Sequence, residues 1–234
     1  MPAIKSPWLI AFAIVAVIHL ILNGADASPW DSITKVMIIP LLAAWVFTEG
    51  GPRILVIALI ACTFGDLFLI WDSTFTIGMA AFAIGHICLI RLFISRGAID
   101  QLRRKPWIVV IYVAAAIALI TYAWSGLEAD IKPLVPVYAA LLAGMASTSL
   151  ACDNRAGLGG ALFLVSDGII LLGEADKWQP SPSGVWIMAL YVLGLFFLSA
   201  GILDKEKRTI AVGPGFDPTI HTDCWPRLPA KPAG

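Results

Sequence analysis

Eight apolar runs follow one another along the chain, and this pattern restricts the fold more than any other feature of the sequence. They cover approximately residues 8–22, 33–48, 54–70, 76–94, 107–124, 133–150, 158–173 and 184–203. Most approach the ~20 residues that cross a ~30 Å hydrocarbon core as a helix. The spacers are short and polar, which favours antiparallel neighbours in one bundle. We therefore predict an all-α integral membrane bundle of eight transmembrane helices.

The composition supports a membrane location. The chain is 59% hydrophobic and 14% charged, whereas a soluble domain has about 25% charged residues. The formal net charge is zero, so charge gives no reason to expect a nucleic-acid partner. We expect a multi-pass protein of a bacterial inner (cell) membrane, surrounded by membrane lipid. The sequence does not indicate its oligomeric state.

The distribution of Lys and Arg predicts the orientation. With the N-terminus in the cytoplasm, most basic residues fall on the cytoplasmic side, and Lys35, Lys132 and Lys177 fall on the other side. The positive-inside rule therefore places both termini in the cytoplasm. We predict a transmembrane domain over residues 1–204. Residues 205–234 are rich in Pro and Gly and are predicted to form a disordered cytoplasmic tail.

The two halves of the chain resemble each other. A lysine opens the second and the sixth apolar run, at Lys35 and Lys132, and an aspartate ends or interrupts the following run, at Asp66 and Asp167. Four helices followed by four equivalent helices would give halves related by an axis along the membrane normal. The sequence thus favours a 4+4 internal repeat.

The two aspartates are the strongest functional candidates. A carboxylate near the middle of a membrane helix costs about 2.5–3.5 kcal/mol on insertion scales, and intramembrane acids are functional by default. At 1.5 Å per residue, Asp66 and Asp167 lie roughly 6 Å and 9 Å below the outer ends of their helices. The alternative is a structural role, in which hydrogen-bonded carboxylates hold helix ends together.

Further polar side chains fall at a similar depth. Lys35 and Lys132 start helices at the outer face, and Tyr138 and Tyr191 carry hydroxyl groups that need partners if buried. We predict that these residues converge on the aspartates as substrate-binding groups. Each lysine has an alternative, in which its long stem carries the ammonium group to the lipid headgroups.

His86 lies deeper, near the predicted midplane. It shares one helical face with Phe75, Gly78, Phe82 and Leu89, a face that is half aromatic and half small. We predict a slot for an acyl chain beside His86; the alternative is a buried histidine in ordinary helix packing. We also expect the missing side chain of Gly65 to leave room for a headgroup or a water beside Asp66.

We expect no cofactor and no metal; the weaker alternative is a metal-dependent hydrolase with His86, Asp66 and Asp167 as the ligands. No HExxH-type spacing orders His86 and the two aspartates as ligands. Four cysteines are present without a CxxC pair: Cys62, Cys88, Cys152 and Cys224. We interpret them as small buried residues and not as disulfide partners.

Four motifs in this order resemble those of a known family. They are Lys35 at the start of the second run, Phe64-Gly65-Asp66, a Gly-x-x-Ala-Phe-x-x-x-His motif from Gly78 to His86, and a Gly-Ala-Leu-Phe-x-x-Ser-Asp motif from Gly160 to Asp167. The pattern resembles the YhhN family of multi-pass membrane proteins over roughly residues 8–203. Characterised members are lysoplasmalogenases.

This resemblance implies hydrolysis of the vinyl-ether bond of a lysophospholipid substrate, a lysoplasmalogen, to a fatty aldehyde and glycerophospho-ethanolamine or -choline. We expect Asp66 and Asp167 to form the acid–base pair, by analogy with the carboxylate pair of glycosidases, and either residue could be the acid. Lys35 and Lys132 would hold the phosphate. A rival hypothesis is a transporter or lipid-handling protein that relays protons through the intramembrane acids.

Overall fold

The structure is a computed structural model that describes residues 6–211 and residue 224. Within these residues the protein is all-helical, with nine α-helices and no strand. The helices are α1 (Pro7–Gly24), α2 (Trp30–Thr48), α3 (Arg53–Phe68), α4 (Phe75–Ser95), α5 (Ala98–Arg104), α6 (Trp107–Ala123), α7 (Leu134–Cys152), α8 (Asn154–Glu174) and α9 (Ser183–Ala211). A 3-10 turn over Asp72–Thr74 precedes α4.

Each of the eight predicted apolar runs coincides with one helix, and the short helix α5 was not predicted. Six helices in the described residues are long and apolar enough to cross a membrane: α1, α2, α4, α7, α8 and α9. The bent pair of α5 and α6, with an angle of 92° between them, would provide a seventh span. Helix α3 has only 16 residues and is not among these candidate spans. The chain is therefore a multi-pass membrane protein, while eight spans, a 4+4 repeat and cytoplasmic termini stay predictions.

Helix boundaries follow from local sequence. Pro52, Pro106 and Pro133 stand immediately before α3, α6 and α7, since proline is tolerated where a helix starts and its own N–H would lack a partner. Asp153 alone separates α7 from α8, and its carboxylate accepts from the backbone N–H groups of Arg155 and Ala156 at 2.9 and 3.0 Å. This N-cap turns the chain sharply, so that α7 and α8 become antiparallel neighbours.

Close packing of α8 on α9 depends on two glycines. A Cβ atom placed on Gly159 would lie 2.5 Å from the carbonyl oxygen of Gly194. Only glycine permits such an approach between backbones. The contact fixes α9 against α8, and therefore fixes Tyr191 and Asp167 relative to each other at the end of the bundle where α2, α4 and α7 begin.

The opposite end, where α2, α4 and α7 finish, is rich in ion pairs. The carboxylates of Glu49, Asp204 and Glu206 pair with Lys207, Arg155 and Arg96, respectively. We call this the ion-paired end. Three of these six side chains belong to the last turns of α9, which continues without a break to Ala211.

The interpretation of all four cysteines as unpaired is wrong. Cys152, at the end of α7, forms a disulfide with Cys224. The two residues are separated by 72 positions, so their spacing in the sequence gives no sign of the pairing. Cys62 and Cys88 are free. Apart from Cys224, the predicted tail beyond residue 211 lies outside the described residues.

Candidate active site

A cavity lies toward the end of the bundle away from the ion pairs. It contains about 870 Å³ of empty space, including the part that is open to the surroundings. Helices α2, α3, α4, α6, α7, α8 and α9 all contribute to its wall. Most lining residues are apolar; the polar ones are Lys35, Asp66, Tyr138, Ser166, Asp167, Glu174 and Tyr191.

Asp66 lies in the last turn of α3 and is only 2% exposed. The hydroxyl of Tyr191, on α9, donates to its Oδ2 atom at 2.8 Å. A buried carboxylate needs such a donor, because an unsatisfied one would cost several kcal/mol. The bond therefore joins α3 to α9 across the cavity wall and holds the Asp66 carboxyl group in one orientation.

Asp167 is the end point of a chain of hydrogen bonds. The Tyr138 hydroxyl on α7 donates to Asp167 Oδ2 at 2.5 Å, and the same hydroxyl oxygen lies 3.3 Å from His86 Nε2 on α4. Tyr138 has one hydroxyl proton and gives it to Asp167, so His86 must donate from Nε2. In this tautomer Nδ1 carries no proton. Within the described part of the chain His86 Nδ1 has no hydrogen-bond partner.

Aromatic rings support the tyrosine that holds Asp66. The ring centroids of Phe82 and Phe163 lie 5.8 and 5.2 Å from that of Tyr191, both in edge-to-face contact. The expectation that Gly65 leaves room for a headgroup or a water is wrong. The Phe82 ring occupies that space, and a Cβ on Gly65 would lie 2.6 Å from it. Gly65 instead lets α4 approach α3.

Lys35 reaches the cavity from the second turn of α2. The turn before it is held by His19 of α1, whose Nδ1 atom lies 3.0 Å from both the Asp31 carbonyl oxygen and the Thr34 hydroxyl. His19 is 1% exposed. His19 was not predicted to have a role, although a histidine within the apolar run 8–22 was a visible signal in the sequence.

The structure brings together five of the seven predicted site residues. Asp66, Asp167, Lys35, Tyr138 and Tyr191 line the cavity. His86 lies behind Tyr138, outside the lining, and Lys132 lies in the turn before α7 and is not a lining residue either. Two further polar lining residues, Ser166 and Glu174, were not predicted. Ser166 donates to the Ile187 carbonyl oxygen at 3.0 Å, joining α8 to α9.

The predicted acyl-chain face of α4 is divided between two roles. Phe75 and Phe82 line the cavity. Gly78 packs against Leu69, the residue that follows α3, and an added Cβ would lie 3.0 Å from its side chain; Leu89 is buried in the core. The cavity wall thus follows only the half of that face nearest the start of α4. In the described ranges, no group of three or more His, Cys, Asp or Glu residues is arranged to hold a metal ion.

A helical, multi-pass membrane protein with two acidic side chains in the wall of one cavity is the class that this fold and site define. The sequence model of the YhhN family matches residues 30–202. The chain therefore belongs to the YhhN family, as its motifs predicted.

Curated relatives agree with this assignment. The human protein named "Lysoplasmalogenase TMEM86B" is 29% identical over 208 residues, which cover 86% of this chain and 89% of that protein. The mouse protein of the same name is 27% identical over 209 residues, with the same coverage. The rat protein is 26% identical over 179 residues, covering 72% of this chain and 74% of the relative. No solved structure matched.

Proposed function

We propose that the protein is a lysoplasmalogenase-like hydrolase that cleaves the vinyl-ether bond of lysoplasmalogens. The names of its relatives support this class of reaction. The observation that carries the proposal is the cavity itself, whose wall contains Asp66 from α3 and Asp167 from α8, each with a tyrosine donor, together with Lys35 from α2. Intramembrane acids in a pocket of this kind suit proton chemistry.

The first step is protonation of carbon. A vinyl ether has electron density on the alkene carbon that does not bear oxygen. A protonated carboxyl group transfers its proton there, and the positive charge is shared between the other carbon and the ether oxygen. This cation resembles the one formed by glycosidases, which also use one acid and one carboxylate. The second carboxylate stabilises the cation electrostatically.

Water completes the reaction. The carboxylate that stabilised the cation takes a proton from a water molecule as the water oxygen bonds to the cationic carbon, which gives a hemiacetal. The hemiacetal hydroxyl then returns its proton to the first carboxylate. The second carboxyl group gives its proton to the departing glycerol oxygen, and the C–O bond breaks. One water is consumed, one fatty aldehyde and one glycerophospho-alcohol form, and both aspartates regain their starting states.

The hydrogen bonds suggest how the roles divide. His86 and Tyr138 form two donors in series that end on Asp167, an arrangement suited to an ionised acceptor. We therefore assign Asp167 as the base and Asp66 as the acid. His86 then acts through Tyr138 as a positioning residue and not by touching the substrate.

The remaining wall suits a single-chain lipid. Apolar lining residues on α4, α6, α7 and α8 would hold the alkenyl chain, and Lys35 would hold the phosphate by a charge-assisted hydrogen bond. Lys132 stays a prediction as a second phosphate contact. We place the protein in a bacterial cell membrane with eight spans and both termini in the cytoplasm.

A panel of lysophospholipids tests the function. Purified protein is incubated with alkenyl, alkyl and acyl lysophospholipids of the same headgroup, and the products are analysed by mass spectrometry. We expect fatty aldehyde from the alkenyl lipid alone. Fatty acid from the acyl lipid, or no product from any of the three, would contradict the proposal.

One observation favours a second candidate. The series His86, Tyr138 and Asp167 has the form of a proton relay, as a proton-coupled transporter or lipid-handling protein would need. The two functions differ in a proteoliposome experiment. Proton flux that depends on lysolipid and leaves the lipid intact would favour the carrier, whereas aldehyde release without flux would favour the hydrolase.

A further inference from the structure

One stripe of α8 runs the length of the cavity wall. Asp167, Ile170, Leu171 and Glu174 all line the cavity, and their spacing of three, four and seven residues places them on one helical face. At 1.5 Å per residue, the Glu174 backbone is about 10 Å farther along the helix than that of Asp167. The wall therefore leads from a proposed catalytic carboxylate to a third carboxylate at the end of α8.

The charges in the cavity lining are mixed. Apart from the aspartate pair, the charged lining residues in the described part of the chain are one cation, Lys35, and one anion, Glu174. Lys35 is half-buried, and Glu174, the last residue of α8, is exposed. A cavity wall with one positive and one negative group, apart from the aspartates, complements a zwitterion better than it complements a simple phosphate ester.

We propose that Glu174 binds the ammonium group of an ethanolamine headgroup and makes the site selective for lysolipids that carry one. This inference rests on the proposed function for the identity of the lipid. The length of the headgroup matches the separation of Asp167 and Glu174 along α8. Nine bonds separate the vinyl-ether oxygen from the headgroup nitrogen, and an extended chain that advances about 3.5 Å per three bonds spans about 10 Å over this length. With the ether at the aspartate pair, the ammonium reaches Glu174.

The chemistry of the lining favours a primary ammonium over a quaternary one. Proteins recognise choline by surrounding it with aromatic faces. Of the aromatic side chains that line the cavity, Phe75 alone comes from the first turn of its helix; Phe82, Tyr138 and Tyr191 lie farther from the starts of their helices. A carboxylate gives a primary ammonium charge-assisted hydrogen bonds that choline cannot donate.

Binding of uncleavable lipids tests the inference without any need for catalysis. The probes are two alkyl-ether lysolipids, one with phosphoethanolamine and one with phosphate alone, titrated into purified protein in detergent. We expect Glu174→Gln to weaken binding of the ethanolamine lipid about tenfold, the size of one charge-assisted hydrogen bond, and to leave binding of the phosphate lipid unchanged. Equal weakening of both lipids, or no weakening of either, would overturn the proposal.

Charge reversal provides the sharper second test, with alkenyl substrates that carry phosphoethanolamine, phosphocholine or phosphate alone. For wild type we expect kcat/KM to fall from ethanolamine to choline to phosphate alone, and for Glu174→Lys we expect the order of ethanolamine and phosphate to reverse. Glu128→Lys is the matched control, because Glu128 is exposed in the α6–α7 connection at the same end but does not line the cavity; it should keep the wild-type order. Wild type without headgroup preference would refute the role of Glu174. Wild type that cleaves no alkenyl lipid would refute the proposed function, while the binding titration still decides on Glu174.

Discussion

The carboxylates at the two ends of the bundle have different kinds of hydrogen-bonding partner. At the ion-paired end, Glu49, Asp204 and Glu206 each meet a Lys or Arg side chain. In the cavity, Asp66 and Asp167 accept hydrogen bonds from tyrosine hydroxyls, and within the described residues neither forms an ion pair.

This difference separates structural from chemical carboxylates. A carboxylate bound to Arg must break a charged contact before it can take up a proton, whereas one bound to a neutral hydroxyl keeps a partner in either protonation state. The ion-paired end is therefore suited to holding helices in place. The cavity end is suited to moving protons, at the cost of two acids within an apolar bundle.

The largest effect should follow from removing either proposed catalytic acid. Asp66→Asn and Asp167→Asn keep the shape and an acceptor for the tyrosine hydroxyl but cannot exchange protons. We expect aldehyde release to fall by about 10²–10⁴-fold in each variant, with thermal unfolding unchanged or at a higher temperature. Asp204→Asn at the ion-paired end is the matched control and should retain activity. Wild-type rates in both cavity variants would remove the catalytic assignment.

A smaller loss is expected when the donors are removed. Tyr138→Phe deletes the hydroxyl group that donates to the ionised Asp167, an interaction worth about 1.5–3 kcal/mol, and Tyr191→Phe deletes the one that donates to the protonated Asp66, worth about 0.5–1.5 kcal/mol. The expected loss in kcat is about 10- to 100-fold for Tyr138→Phe and about 2- to 10-fold for Tyr191→Phe. His86→Gln should reproduce part of the Tyr138→Phe effect and add nothing in the double variant. Additive effects of His86 and Tyr138 would contradict a shared chain of hydrogen bonds.

A methyl group on Gly65 tests whether packing alone fixes the geometry of the site. Gly65→Ala would push its Cβ into the Phe82 ring, which contacts Tyr191. We expect kcat to fall several-fold, with a destabilisation of about 1–3 kcal/mol from overpacking. Gly144→Ala is the control, because its Cβ would meet only the end of the Ile90 side chain at 3.4 Å. Equal changes of kcat and stability in the two variants would show that the contact between Gly65 and Phe82 does not fix the geometry of the site.

The smallest effect on activity is expected at the ion-paired end. Arg96 and Glu206 are only 13% and 12% exposed, so Glu206→Gln should lower the free energy of unfolding by about 1–3 kcal/mol while kcat stays the same. Asp100→Asn affects a pair whose side chains are 78% and 73% exposed, and we expect no measurable change. A loss of kcat in Glu206→Gln that exceeds its loss of folded protein would break the distinction between the two ends.

The sequence was sufficient for much of the fold because membrane helices are specified locally. All eight apolar runs are helical, and the spacing of Lys35, Asp66, Tyr138, Asp167 and Tyr191 along their helices placed them at one depth. Depth does not determine direction around a helix axis. For this reason Lys132 was predicted to join Lys35 in the site, although it does not line the cavity. His86 was likewise predicted to line a slot, but it lies behind the lining residue Tyr138.

Other features depend on contacts between distant segments. The space beside Gly65 is filled by Phe82 from the next helix, and the Cys152–Cys224 disulfide joins residues with no local pattern. Glu174 was overlooked because a charged residue at the end of a membrane helix is ordinary in sequence. Glu174 became a candidate only when the structure placed it in the cavity wall, on the same face of α8 as Asp167.

Isotope incorporation tests the central claim, proton transfer to carbon by the aspartate pair, most directly. Wild type and the two aspartate-to-asparagine variants are incubated in D₂O with an alkenyl lysophospholipid. The aldehyde is derivatised immediately, before its hydrogens exchange with solvent, and its deuterium content is measured by mass spectrometry. The account predicts one deuterium on the carbon next to the aldehyde group, formed rapidly by wild type and at a background rate by both variants. An aldehyde without deuterium, or rapid labelling by either variant, would contradict it.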